Sequence, residues 1–336
     1  MIFTAAKNIT RRLCIMLVAL FLSIPEAVQS QAPSAQGLSY TEVVPADLLV
    51  TRSLVLYDPS FTQRELEEIQ KSFQQIGIDA VAYFEKDLVL AGKDVTKAFA
   101  EYFTSRQIKY LLIFEKSAKG YQLTGPSFNH HENLFDAIPT WRLNNERLTE
   151  LLRTVFQDAW RGQKKQNFLI NEYPETDIHV DPIKGKRQEF YAIDLKVDEL
   201  AVPKFGNEVM DKELEELFAA NYPWKYKITE AGTDERELRK QGFSYVLCFV
   251  YTRGQAAKEI LGYDMTKAES AYASIAFPSG QLQLKTIPAD KEVYKFYFRH
   301  IDNGNVFLGN KWDADLTWQD ALRNHILGFK TELRMN

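Results

Sequence analysis

Two histidines and a carboxylate stand together in the stretch NHHEN at residues 129–133. Imidazole and carboxylate groups are good ligands for zinc or copper, so His130, His131 and Glu132 are candidate metal ligands. No third ligand follows at a recognised spacing, and the H-E-x-x-H pattern of zinc proteases is missing. The sequence therefore favours a polar loop here, with a metal site as the alternative.

A second candidate metal site is the stretch DIHVD, in which Asp177, His179 and Asp181 alternate. Alternate side chains of an extended strand point to the same side, so these three groups would face one divalent ion. Ligands this close together on one straight strand rarely converge on a single point, and the geometry of a metal site demands convergence. A solvated connector is the favoured interpretation.

Two further motifs resemble known sites but lack their essential residues. The stretch GNVFLGNK at 304–311 has Asn310 where a phosphate-binding loop has its lysine, and it follows a turn instead of a strand. Asp313 and Asp315 form a D-x-D pair without the glycine and additional oxygen ligands of a calcium loop. Asp315 or Thr317 is better interpreted as a helix cap. No catalytic residue and no cofactor is predicted.

Aromatic and basic residues alternate in the stretches YPWKYK at 222–227 and YKFYFRH at 294–300. Alternation on a strand would bury half of these rings in the core. If the outer rings are exposed together, they form an amphipathic surface suited to a glycan or a protein partner. The candidate binding residues are Trp224, Tyr226, Tyr294, Trp312 and Trp318.

The elements that position these residues begin with an α/β pattern at residues 46–162. The apolar run SLVLYD predicts a buried strand, and the next segment has apolar residues at helical spacing that stop at Gly77. Ser60 or Thr62 can cap the start of this helix. Continued along the chain, the pattern predicts a first module with the order β-α-β-α-β-β-α. A connector at 163–196 follows it.

The second module, at residues 197–336, repeats this order. KELEEL at Lys212–Leu217 corresponds to RELEEI at Arg64–Ile69, and in both halves a later helix end leads into an apolar strand. A shared order over three elements indicates tandem duplication of one unit. The second copy carries two extra hairpins, with turns at 278–280 and at 303–304, so we predict a mixed-sheet α/β fold of two related modules. The Asn303–Gly304 pair is typical of a type I′ turn.

The first residues indicate export from the cytoplasm. A basic head precedes the apolar run Leu13–Ile24, and the small-residue stretch Ala27–Ala32 follows, as in a secretory signal peptide. The run is too short to span a bilayer. We expect cleavage after Ser30 and a flexible lead-in at 31–45. Cys14 lies within the run and not at its end, so a lipoprotein is not expected.

Charge and cysteine content exclude further classes of protein. The net charge is −4. Removal of residues 1–30 takes away three basic and one acidic side chain and leaves about −6, whereas nucleic-acid binding needs a basic stripe. Cys248 is then the single cysteine, so an internal disulfide is excluded. Its apolar surroundings in the sequence indicate a packing residue.

The order of elements resembles the small α/β modules of bacterial periplasmic proteins, such as the amino-terminal domain of TolB. The chain is also similar to secreted proteins of Gram-negative bacteria that have no assigned activity. The leading hypothesis is an exported, non-enzymatic binding or envelope-assembly protein. It would recognise an envelope protein or a cell-wall glycan through the aromatic surface or the cleft between modules. The alternative is a secreted, metal-dependent hydrolase.

Overall fold

The computed structural model describes residues 40–136, 140–162, 167, 170–175, 178, 180–267 and 269–334. All of these described residues belong to one compact unit. The first module contains, in chain order, β1 (Tyr40–Thr41), β2 (Arg52–Tyr57), α1 (Gln63–Ile76), β3 (Asp79–Glu85), α2 (Lys86–Val89), α3 (Lys93–Ser105), β4 (Ile108–Ser117), β5 (Gly120–Gly125), β6 (Thr140–Asn145) and α4 (Leu148–Gly162).

Local sequence signals set the ends of α1. The Thr62 hydroxyl accepts a hydrogen bond from the backbone N–H of Glu65, and the Glu65 carboxylate accepts one from the backbone N–H of Thr62 at 2.8 Å. This capping box confirms Thr62 as the cap. The helix ends at Gly77, whose φ of 94° is accessible to glycine at little cost.

The first sheet has the strand order β1-β6-β5-β4-β2-β3. β2 lies in parallel between β3 and β4, whereas β5 is antiparallel to both β4 and β6. The short β1 completes the sheet in parallel with β6. The sheet is therefore mixed, as the sequence predicts.

The second module contains β7 (Arg187–Gln188), β8 (Leu200–Pro203), α5 (Glu208–Asn221), β9 (Tyr226–Thr229), α6 (Glu235–Lys240), β10 (Tyr245–Arg253), α7 (Gly254–Ile260), β11 (Ala271–Ala276), β12 (Gln283–Pro288), β13 (Glu292–His300), β14 (Val306–Phe307) and α8 (Trp318–Arg334). Its main sheet has the order β7-β14-β13-β10-β8-β9. Each neighbouring pair has the same relative direction as its counterpart in the first sheet. The two modules thus share one topology.

A matching tyrosine–aspartate pair supports the same correspondence. Tyr110 on β4 donates a hydrogen bond to Asp47, just before the short 3₁₀ helix at Leu48–Val50. Tyr245 on β10 lies near Asp194, within the 3₁₀ helix at Ile193–Lys196, and burial together with the Asp194 charge raises the pKa of Tyr245 to about 12. The repeated sequence stretches align less well, because Arg64 is the second residue of α1 and Lys212 the fifth residue of α5.

β1 lies in the predicted lead-in and β7 in the predicted connector, so the two sheets begin before the predicted module starts at residues 46 and 197. Three further sequence expectations need correction. The sequence pattern does not predict β6. Because the first sheet contains β6, β13 and β14 of the second sheet correspond to β5 and β6 of the first. Only the β11–β12 hairpin is therefore an addition, where the sequence predicts two extra hairpins. This hairpin forms a separate two-stranded sheet. Gly304 has a positive φ of 68° but Asn303 does not, so the connection from β13 to β14 is not a type I′ turn.

Both sheets are covered on both faces, and the modules share a core. One cluster of buried side chains combines Leu54 and Leu111 of the first sheet with Val246 and Cys248 of the second, together with Phe99 of α3. Two further clusters fill the outer layers, beneath α1 and α4 in the first module and beneath α5 and α8 in the second. The described part of the boundary between the modules therefore contains packed core where the sequence hypothesis placed an open cleft.

No helix in the described ranges has the length and apolar character needed to cross a membrane.

Candidate binding site

The two modules differ most at one insertion. In the first module, residues 118–119 alone connect β4 to β5, whereas residues 254–291 stand between β10 and β13. This inserted segment contains α7 and the β11–β12 hairpin. A binding surface specific to this protein is most simply added where one copy of a repeated scaffold departs from the shared plan.

Within the inserted hairpin, β11 is the inner strand. The backbone N–H of Ile275 donates to the carbonyl of Trp312 at 2.8 Å, and the Ser274 hydroxyl donates to the carbonyl of Ala314 at 2.6 Å. Both side chains are buried. These bonds attach β11 to the segment that precedes α8, and β12 then lies on the outside.

β12 exposes apolar side chains to solvent. Leu284 is 76% exposed, and Leu282, immediately before the strand, is 55% exposed. They are two positions apart and so point to the same side. The buried Ile287 holds the other end of the strand against the protein. Exposed leucines beside an outer strand edge are typical of an interaction surface.

A pocket of about 290 Å³ lies between the hairpin and α8. Its apolar lining is formed by Ala276, Phe277, Pro278 and Leu284. Its polar lining is formed by Gln283, Lys285, Asp315, Asp320, Arg323 and Asn324. The volume suits one side chain of a partner or a small group of similar size.

Asp315 fixes the floor of the pocket. Its side chain is 3% exposed, and its Oδ1 accepts hydrogen bonds from Lys285 Nζ at 2.5 Å and from the backbone N–H of Leu316 at 2.7 Å. Its Oδ2 accepts from Asn324 Nδ2 at 3.2 Å. Asn324 Oδ1 in turn accepts from the backbone N–H of Phe277 at 2.9 Å. This network joins β12, the hairpin turn and α8, so the pocket is held in one shape.

A second ion pair lies on the rim of the pocket. Arg323 NH1 is 2.7 Å from Asp320 Oδ1, and both side chains are partly exposed. Thr317 caps this end of α8, since its hydroxyl accepts from the backbone N–H of Asp320 at 3.2 Å. That bond confirms the cap interpretation for Thr317. The charges around the pocket are therefore paired within the protein.

The structure does not place the five predicted aromatic residues on one exposed surface. Tyr294, Trp312 and Trp318 are 5%, 8% and 4% exposed. Trp318 packs on Phe205 with ring centroids 4.8 Å apart. Trp224 and Tyr226 are half-buried against the core under α8, as shown by the 4.5 Å between the ring centroids of Trp224 and Phe329. Trp312 lies instead in the core shared by the modules, with its ring centroid 5.2 Å from that of Tyr263. All five rings therefore serve packing.

The predicted histidine residues lie in a shallow concavity beside α3. His130, His131 and Glu132 line a space of about 840 Å³ together with Lys97, Glu101 and Thr104. The His130 ring packs on Phe128, with centroids 4.7 Å apart, and its Nδ1 is 3.4 Å from the Thr104 hydroxyl. Glu132 forms an ion pair with Lys93 at 3.3 Å. Among the described residues, no three histidine, cysteine or acidic side chains are arranged to hold a metal ion.

The predicted DIHVD site falls mostly outside the described residues, which include neither Asp177 nor His179. Asp181 is described, and its Oδ1 accepts a hydrogen bond from the backbone N–H of Ile183 at 2.8 Å. This local bond is typical of an aspartate in a turn.

A buried polar cluster in the second module was not predicted from the sequence. Lys295 Nζ is 2.6 Å from Asp313 Oδ1, and His325 Nδ1 is 2.9 Å from Asp313 Oδ2. Burial, with the nearby Lys295 charge, lowers the pKa of His325 to about 4. The cluster is fully enclosed, so it has a structural role. Cys248 is buried as predicted, and burial raises the pKa of its thiol well above the usual range.

Leu282 and Leu284 were also missed as binding residues. The available signal was the alternation QLQLK on a predicted hairpin outside the repeated plan, where two leucines alternate with glutamines. Alternation identifies a strand face but does not show whether another element covers it.

Comparison with known proteins identifies no relative of this chain. No family model, no curated protein and no solved structure matches the chain.

Proposed function

We propose that this chain is an exported, non-enzymatic binding or envelope-assembly protein. Its two duplicated α/β modules form the scaffold, and the hairpin inserted in the second module recognises the partner. The single observation that carries this proposal is the position of Leu282 and Leu284, exposed on the outer strand of that hairpin beside a preformed pocket.

Export and the type of partner are part of the same proposal. The basic head and short apolar run at the start of the sequence support secretion into the periplasm or beyond. The negative net charge supports a partner other than nucleic acid. We favour an envelope protein over a cell-wall glycan, because Leu282 and Leu284 offer aliphatic contacts and sugar rings stack best on exposed aromatic faces.

The test compares two variants as bait in the envelope fraction of the host. Leu282→Ser/Leu284→Ser removes the exposed leucines, and Val209→Ser removes a valine on α5, 68% exposed, as the matched control. We expect wild-type protein and the control to capture the same stoichiometric partner and the double variant to lose it. Equal capture by all three proteins would refute the proposal for this surface. Capture of isolated cell-wall glycan by wild type alone would assign the site to the glycan.

A secreted hydrolase is the second candidate function. The observation that favours it is the concavity lined by His130, His131 and Glu132 beside α3. If the protein is a metal-dependent hydrolase, the purified protein should contain at least about one equivalent of a transition metal or calcium. The double variant His130→Ala/His131→Ala should lose this metal. Less metal than this in the wild-type protein would remove that form of the hypothesis.

A further inference from the structure

We infer that the partner binds as an extended polypeptide segment that adds a third strand to the inserted sheet, along the free edge of β12. This inference rests on the proposed function and specifies the chemistry of its partner. It also predicts that one apolar side chain of the segment enters the pocket beside β12.

The outer edge of β12 has free capacity for backbone hydrogen bonds to a strand. β11 pairs with β12 along the full length of both strands, from Ala271–Pro288 to Ala276–Gln283. In the described part of the chain, the inserted sheet consists of these two strands, so the other edge of β12 has no strand partner. Such an edge presents backbone N–H and C=O groups at the spacing of another strand.

The edge of β12 is also held in place before any partner binds. Lys285 anchors the middle of β12 to the buried Asp315, and Ile287 anchors its end in the core. β11 is attached to the segment before α8. Because the strand is already ordered in the free protein, binding of a partner does not carry the entropic cost of ordering it.

The distribution of charge decides which side chain the pocket accepts. Lys285 is paired with Asp315, and Arg323 is paired with Asp320. A charged side chain would have to compete with these pairs, whereas an apolar one can contact Phe277, Pro278 and Leu284 and leave them intact. The partner segment should therefore carry apolar residues at alternate positions.

Backbone recognition also favours a polypeptide over a glycan, because a glycan lacks the alternating donors and acceptors of a strand. Pro288 limits the usable edge, since proline has no N–H to donate. We expect the added strand to cover residues 283–287.

The experiment uses a randomised dodecapeptide display library selected on the full mature protein. Selected peptides are synthesised with single N-methyl groups scanned along the backbone, and their affinity is measured by calorimetry. Strand addition predicts sensitivity at every second peptide position, with about tenfold or greater loss where an N–H faces β12 and little change at the positions between. Amide exchange of residues 283–287 should slow when the peptide binds.

Leu284→Asp should reduce peptide affinity by about tenfold or more, and Val209→Asp should leave it unchanged. Uniform tolerance of N-methyl groups, selection of peptides that leave the exchange of β12 unchanged, or no selected binder would overturn strand addition. A concentration-dependent dimer that Leu284→Asp abolishes would show that a second copy occupies the edge, and would also overturn it. If the peptide experiments contradict strand addition but Leu282→Ser/Leu284→Ser still prevents capture of the envelope partner, the proposed function remains supported and only this binding mode is wrong.

Discussion

The Lys295 ammonium group lies 2.6 Å from Asp313 Oδ1, and the two side chains are 0% and 1% exposed. Lys295 also donates to the carbonyl of Leu308 at 2.8 Å. Asp313 Oδ2 is bound by His325 of α8. The cluster therefore joins β13, the segment after β14 and the last helix through groups that water does not reach.

Replacing one member of this ion pair should be strongly destabilising. Lys295→Met leaves the Asp313 carboxylate buried without its main counter-charge, and we expect a loss of about 3–5 kcal/mol in the free energy of unfolding. Urea titration followed by circular dichroism measures this loss. Lys240→Met, on the exposed pair with Glu237, is the control and should leave the unfolding midpoint unchanged.

The double variant Lys295→Met/Asp313→Leu provides a further check on the same ion pair. It removes both charges, so it should recover part of the stability lost in the single variant. If the double variant is less stable than Lys295→Met, the charge argument is contradicted.

Stability should depend on His325 in mildly acidic solution. Burial, and then the Lys295 charge, lowers the pKa of His325 to about 4, whereas Asp313 opposes this shift. The unfolded chain takes up this proton near pH 6.5 and the folded chain only near pH 4. The folded state therefore loses stability as pH falls through that window, by up to about 3 kcal/mol.

The variant His325→Asn isolates this effect, because its amide can still donate to Asp313 but does not titrate. We expect urea midpoints of the wild type to fall between pH 7 and pH 4.5 and those of the variant to change less. The Asp313 carboxylate does not confuse the comparison, because Lys295 and His325 outweigh its burial and hold its pKa below the usual range. Parallel pH profiles for the two proteins would argue against His325 as the titrating group.

The modules should unfold together because charged groups and a shared core join them. Arg299 on β13 binds Asp94 of α3 at 2.7 Å and also binds Glu235. The hydroxyl of Tyr297 donates to the same Asp94 carboxylate at 3.1 Å. These side chains are mostly buried, so Arg299→Met should cost about 3 kcal/mol.

Urea unfolding followed by amide exchange in both modules tests this connection. A single transition at both sets of amides, shifted equally by Arg299→Met, is the expected result. Arg239→Met, on the half-exposed pair with Asp302, should change stability by less than about 1 kcal/mol. Two separate transitions in the wild-type protein would contradict joint unfolding.

Gly185 should be intolerant of a side chain. A Cβ built there would lie 2.3 Å from the backbone nitrogen of Asn305 and equally close to Gly304. Gly185→Ala should therefore separate the connector from the β13–β14 turn, at a cost of roughly 2 kcal/mol or more. Gly232→Ala is the matched control, because its Cβ would meet no atom within 4 Å and only its positive φ opposes the change. Equal thermal shifts for the two variants would exclude the steric explanation.

Local signals in the sequence were sufficient for most of the fold. The cap at Thr62 and the stop at Gly77 depend on residues within a few positions, so α1 could be predicted. β6 was missed because TWRLNN has only Trp141 and Leu143 as apolar residues. The sequence does not show that β5 and α4 bury these two residues.

The binding site was harder to predict because exposure depends on distant parts of the chain. Trp318 looked available and is covered by Phe205. Lys295 alternates with apolar residues like a surface lysine, yet Asp313 and His325 enclose it. Leu284 looked like an ordinary strand residue, and its 76% exposure follows from β12 lying at the outer edge of the hairpin.

Site-specific photo-crosslinking in living host cells tests the central claim most directly. A photoreactive phenylalanine analogue is placed at position 284, at position 286 on the same strand face, or at position 209 on α5. If the inserted hairpin is the binding surface, we expect one predominant polypeptide adduct from positions 284 and 286. Position 209 should give much less of that adduct. Equal adducts from all three positions, or adducts from position 209 alone, would contradict the assignment of this hairpin as the site of partner recognition.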